Sequence, residues 1–129
     1  MTTRTQRWFD LRDASVEALY PNRGLVTLHE FADLEGRSAA EVKGDFAAGR
    51  LLGVEIDGEL HILEALIDPR FDRRQVARVS RALKHVGAHG RLIFCTSPKA
   101  SLGGQTPLAA LLRGQVAETV QAARAYAER

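Results

Sequence analysis

The chain is short of several things that narrow its chemistry. It has one cysteine, Cys95, in 129 residues, so no disulfide can form within it and a reducing compartment is expected. Ile93 and Phe94 beside it mark that thiol as buried and inert. No apolar stretch approaches the roughly 18 residues of a membrane span, and the N-terminal MTTRTQRW lacks the apolar core of a secretory signal. The expected location is the cytoplasm, with no membrane among the partners. An excess of charge of one sign is missing too: 18 Lys and Arg face 16 Asp and Glu, a net charge of +2. That imbalance creates no field strong enough to require nucleic acid, so any such argument must rest on local clustering. No segment repeats and none is of low complexity. A hydrophobic content of 45% is enough for one compact core.

Constellations for catalysis are also lacking. His85 and His89 are spaced for one side of a helix, but Gly87 and Gly90 work against a continuous helix there. With Cys95 as the only thiol and no acidic residue close by, no metal site is expected. Nothing marks Cys95 as an activated nucleophile. The pair Gly103-Gly104 leads into a helix, as a phosphate loop does, yet the Lys that follows the glycines of a P-loop is absent. The expectation is a protein that is not an enzyme and carries no cofactor.

What is present is dense local punctuation. Between Arg7 and Pro21 the spacing suggests a short helix, followed by a turn at PNRG. Thr27 precedes Glu30 by three residues and Ser38 precedes Glu41 likewise, so two capping boxes predict helices from Leu28 to about Leu34 and from Ala39 to about Ala48. Gly36 makes the turn between them, and Gly49 ends the second. Helix, tight glycine turn, helix is the outline of a helix-turn-helix. In RLLGVEIDGELHIL, Asp57-Gly58 predicts a hairpin whose Leu52, Val54, Ile56, Leu60 and Ile62 share a face. A hairpin directly after a helix-turn-helix is a winged arrangement. Beyond Asp68-Pro69, Asp72 can cap a helix whose apolar stripe is Val76, Val79, Leu83 and Val86, with Arg73, Arg74, Arg78, Arg81 and Lys84 opposite. RLIFCT reads equally as a strand or a buried helix. Thr106 as N-cap, Pro107 at the first helical position and Gly114 at the end delimit a short helix. A final helix follows, with Val116, Val120, Ala123 and Ala127 on one stripe.

The stretch TSPKASLGGQTPLAALLRGQVAETV resembles the C-terminal toxin-binding domain of the MbcA/ParS/Xre antitoxins. That family is marked by Pro-x-x-x-Leu-Gly-Gly-x-Thr-Pro-Leu-x-x-Leu, then a glycine and a helix rich in Val and Ala. The pattern falls here on Pro98, Leu102, Gly103, Gly104, Thr106, Pro107, Leu108, Leu111 and Gly114, in one ungapped window. The first half is similar to the winged helix-turn-helix of some small members. Where the family often carries a Trp before the proline turn, this chain has Leu92, Ile93 and Phe94.

The resemblance implies a mainly α fold: a small winged helix-turn-helix with one β-hairpin over residues 1–67, then a helical toxin-binding domain over 68–129. It also implies an antitoxin that binds a RES-type, NAD-degrading toxin and represses its own operon. The expected contacts for the toxin are Gly103, Gly104, Thr106, Pro107, Leu108, Gln115, Arg124, Tyr126 and Arg129. Those for operator DNA are Arg37, Ser38, Lys43 and Arg50, with Arg74 and Arg78 as backbone anchors. Glu41 and Asp45 beside Lys43 make the second helix a poor recognition surface, because carboxylates are repelled by phosphates. The alternative reading is a stand-alone DNA-binding regulator. A homo-oligomer is left open.

Overall fold

The computed structural model describes residues 24–129; the helix expected between Arg7 and Pro21 lies outside them. Strand β1 (Leu25–Thr27) runs into helix α1 (Leu28–Glu35), then α2 (Ala39–Ala47), strands β2 (Gly53–Ile56) and β3 (Glu59–Leu63), and a 3-10 turn at Glu64–Ile67. Helices α3 (Arg73–Ala82) and α4 (Ala88–Thr96), a 3-10 turn at Ala100–Leu102, α5 (Pro107–Leu112) and α6 (Val116–Ala127) complete the chain. The fold is mainly helical with a small three-stranded antiparallel sheet.

The local signals account for most boundaries. Both capping boxes form: Thr27 Oγ1 accepts from the Glu30 amide at 3.1 Å while Glu30 accepts from the Thr27 amide at 2.9 Å. Ser38 and Glu41 do the same at 3.1 Å in each direction. Gly36, at φ 68°, closes α1. The hairpin turns at Asp57 and Gly58, with φ of 53° and 79°, and pairs Ile56 with Glu59. Leu52 and Ile62 are buried at its base, while Val54, Ile56 and Leu60 are half-buried towards its tip.

One expectation needs correction, and one open reading is decided. The sheet is more than one hairpin, since β1 pairs with β3 and gives the order β1-β3-β2. Three residues are too few to show alternation, and β1 exists only because the edge of β3 is there to receive it. RLIFCT, open between strand and helix, is the body of α4. Its apolar run is buried on the side of Leu92, Phe94 and Cys95 and half-buried at Ile93.

One hydrophobic cluster takes in Phe31, Val42, Leu51 and Ile62 from the first half and Val76, Leu83, Phe94, Leu108 and Val120 from the second. Residues on both sides of the 67/68 joint thus line the same core. Helix α3 sits at its centre, packed against α6. Its Val76, Val79 and Leu83 are each at most 1% exposed. Valine in a helix forfeits about 0.5 kcal/mol of propensity, whereas burying such a side chain contributes about 1.5–3 kcal/mol. Packing, not propensity, holds α3. Among the described residues no helix is long and apolar enough to cross a membrane.

Leu83→Ala is therefore expected to lower stability by about 2–5 kcal/mol. Asp72→Ala, which removes the side chain that accepts from the Arg74 amide at 2.9 Å, should cost only about 1 kcal/mol. Urea unfolding followed by circular dichroism separates the two; equal losses would place the weight on the cap.

Candidate functional site

The glycine turn is built as a closed loop. After α4 ends, the Lys99 amide donates to the Gln105 carbonyl at 3.0 Å and the Gly104 amide to the Lys99 carbonyl at 2.9 Å. Gly103 and Gly104 take φ of 66° and 84°, a conformation that costs other L-residues roughly 1–2 kcal/mol each. A Cβ on either would meet nothing within 4 Å, so the backbone angle and not crowding demands glycine. Thr106 Oγ1 accepts from the Ala109 amide at 3.1 Å and Pro107 opens α5. The amide that a phosphate would seek at Ala109 is thus already used. Gln105 Nε2 donates to the Leu102 carbonyl at 3.0 Å and to Gln115 Oε1 at 2.9 Å, which ties the loop to the start of α6.

The expected toxin contacts divide by burial. Gly103, Gly104, Arg124 and Arg129 are exposed, Gln115 and Tyr126 are half-buried, and Thr106, Pro107 and Leu108 are buried. The last three shape the turn from within, so a partner meets its glycines and backbone. Tyr126 is engaged inside the molecule: its ring lies 5.0 Å from that of Phe94 at 52°. Lys99 Nζ sits 4.9 Å from the centre of the Phe94 ring and 5.0 Å from that of Tyr126. Burial there, with the charge of Arg129, holds the Lys99 ammonium below its ordinary pKa.

Beside this turn lies a feature the sequence reading missed. A shallow groove of about 400 Å³ is lined by Ser101, Ala117, Glu118, Gln121, Ala122 and Ala125. Glu118, Gln121, Ala122 and Ala125 follow the i, i+3, i+4, i+7 spacing of one helix face. The signal was available in that spacing, but alanines at 122 and 125 read simply as helix formers.

The expected DNA contacts are only partly available. Arg37 Nη1 lies 2.7 Å from Asp45 Oδ2, and Arg50 Nη1 is 3.2 Å from Asp45 Oδ1. Arg73 reaches the same carboxylate at 3.5 Å and Glu35 at 2.7 Å, and donates to the Leu66 carbonyl at 3.0 Å. Asp45, 9% exposed, is therefore the hub of a charge network joining the α1–α2 corner to the start of α3. Burial pushes its carboxyl up, but hydrogen bonds from Arg37 and Arg50 and the charges of Arg37 and Arg73 outweigh that and leave it below its ordinary value. Arg37 and Arg50 are structural cations first. Ser38 caps α2. Arg74 is exposed and 3.5 Å from Asp72, while Lys43 and Arg78 are exposed with no carboxylate within 4.0 Å among the described residues.

Cys95 is buried, and desolvation pushes its thiol up to about 12. His85 falls in the turn after α3 and His89 in α4, so one helix does not carry both. Among the described residues no three of His, Cys, Asp and Glu gather as a metal site.

Asp45→Asn is expected to cost about 1–3 kcal/mol, since three guanidinium groups lose the charge of their shared carboxylate and one of its two acceptor oxygens becomes an amide donor. Because the folded carboxyl lies below its ordinary 3.8, its contribution is complete above that pH and is lost as pH falls below it. Urea midpoints measured from pH 6 down to about 3 should therefore fall more steeply for the wild type than for the variant. Cys95 should resist an aromatic disulfide reagent at about pH 8 in the native state and react fully in denaturant; rapid native labelling would contradict its burial.

No family model, no curated protein and no solved structure matches this chain.

Proposed function

We propose that this chain is an antitoxin that binds a RES-type, NAD-degrading toxin and neutralises it by occlusion. The observation that carries the reading is the junction of the Leu-Gly-Gly-x-Thr-Pro-Leu turn with the outer face of α6. A rigid loop with its glycines exposed is followed by α6, whose Ala117, Glu118, Gln121, Ala122 and Ala125 line a groove together with Ser101. Small side chains let a partner's backbone or side chains approach closely, and a pre-formed loop loses little entropy on binding. Arg124 and Arg129, exposed at the end of α6, supply donors for carboxylates on the partner.

Operator binding is the second reading, and it is supported by the order β1-α1-α2-β2-β3 with α1 and α2 joined by a glycine turn. That order is the layout expected of a winged helix-turn-helix. Its contact set is Lys43 and Arg78, with Arg37 and Arg50 contributing only what their pairing with Asp45 leaves over and Arg74 what its contact with Asp72 leaves.

Co-expression with the product of the adjacent gene tests the antitoxin reading. A stable complex and relief of toxicity are expected, and absence of both overturns it. Ala125→Glu, at an exposed position in the groove, should weaken the complex by about tenfold or more while leaving the thermal unfolding midpoint unchanged. Undiminished binding by that variant would move the interface elsewhere.

A further inference from the structure

At a cationic surface, the end of α2 meets α3 and α4 around a pocket of about 230 Å³. Arg81, Lys84 and Arg91 line it, together with Ser80 and the backbone at Gly49. Arg37, Arg50, Arg70, Arg73 and Arg74 each have a carboxylate within 4.0 Å, whereas the other described arginines outside the pocket, Arg78, Arg113, Arg124 and Arg129, are unpaired among the described residues but do not line one space with further cations. Arg81, Lys84 and Arg91 have no such carboxylate among the described residues, although they converge on one space. Like charges drawn together without a counter-charge repel, and a bound anion relieves that repulsion.

The groups are also arranged to receive one. Arg91 Nε donates to the Val86 carbonyl at 2.9 Å, which orients the guanidinium and leaves its Nη groups for another acceptor. Several carbonyls at the end of α2, which would repel an anion, are already bonded. Ser80 Oγ donates to the Gly49 carbonyl at 2.8 Å, and the amides of Ala48, Gly49 and Arg50 take up the carbonyls of Gly44, Phe46 and Asp45. The remaining walls are Ala47, Ala48 and Ala77, which bring no carboxylate of their own.

We infer that Arg81, Lys84 and Arg91 form a binding site for a phosphate group. Two guanidinium groups and an ammonium from separate elements match a multiply charged, several-oxygen acceptor better than a single carboxylate. Arg74, Arg78 and Arg81 also lie in an exposed row along α3, at i, i+4, i+7. That row extends the cationic surface from the pocket in the direction a nucleic-acid backbone would follow. The inference does not depend on the antitoxin reading.

The test is a titration of the full chain, isotopically labelled, with inorganic pyrophosphate at low salt, read from amide resonances. Saturable shifts are expected at Gly49, Ser80, Lys84 and Arg91, and Lys84→Glu should weaken binding by about tenfold or more. Arg113→Glu, an exposed cation at the end of α5, should leave it unchanged. A short DNA duplex that competes with pyrophosphate, and loses affinity in Lys84→Glu, identifies the source as a nucleic-acid backbone. A duplex that does not compete identifies a free phosphorylated molecule instead, and the site stands. Shifts that are unsaturable, spread over the whole basic surface, or reduced equally by Arg113→Glu overturn the proposal. If Lys84→Glu unfolds, Arg81→Gln is the substitute, with the same outcomes.

Discussion

The burial of one side of α3 is the constraint on which the other features depend. Val76, Val79 and Leu83 cannot be satisfied by either half alone, because the cluster they enter draws on Phe31 and Val42 as well as Leu108 and Val120. Once α3 is seated, its remaining polar groups are placed without freedom. Arg73 falls against Glu35 and Asp45, and Ser80 falls against the end of α2. Arg74, Arg78 and Arg81 are turned outward, where they are exposed. A hydrophobic contact worth several kcal/mol thus decides where a set of charges sits. The charges themselves contribute less to stability, since those on the surface are worth about 0–1 kcal/mol each.

What could be read from the chain beforehand was whatever a few adjacent residues determine. Thr27 with Glu30, Ser38 with Glu41, Asp57-Gly58, Asp72, and Thr106-Pro107 each act within about four residues, and all are found in the expected roles. The features that escaped depend on distant parts of the chain. Strand β1 needs β3, 38 residues away at the Leu25–Leu63 pair, to exist as a strand. RLIFCT packs as a helix against β2 and α5, with Phe94 meeting Tyr126 of α6, and no period within six residues can encode those contacts.

The candidate site divides in the same way. The rigidity of the glycine turn was legible, since Gly103, Gly104, Thr106 and Pro107 specify it locally. The availability of its side chains was not, because burial of Thr106 and Leu108 and the capture of Tyr126 by Phe94 and Lys99 are tertiary outcomes. Arginine is the sharpest case. Arg37, Arg50 and Arg81 are indistinguishable as residue types, yet the first two share Asp45 at 2.7 and 3.2 Å while Arg81 has no carboxylate within 4.0 Å among the described residues.

That difference matters more for function than the net charge of +2. A paired guanidinium offers an incoming anion only what remains after its carboxylate is displaced or shared, and displacement leaves Asp45 desolvated and unpaired. An unpaired guanidinium offers its full charge. The basic surface of this protein is accordingly smaller than its arginine count suggests, and it is shifted away from α2, where a helix-turn-helix would need it. It lies instead along α3 and into the α2–α3–α4 corner, on elements whose positions the shared core holds fixed. The groove of α6, with three alanines, Ser101, Gln121 and the carboxylate Glu118, is lined by different residues altogether. The two surfaces have no lining residue in common, so the proposed protein partner and the proposed phosphate would not compete for the same side chains.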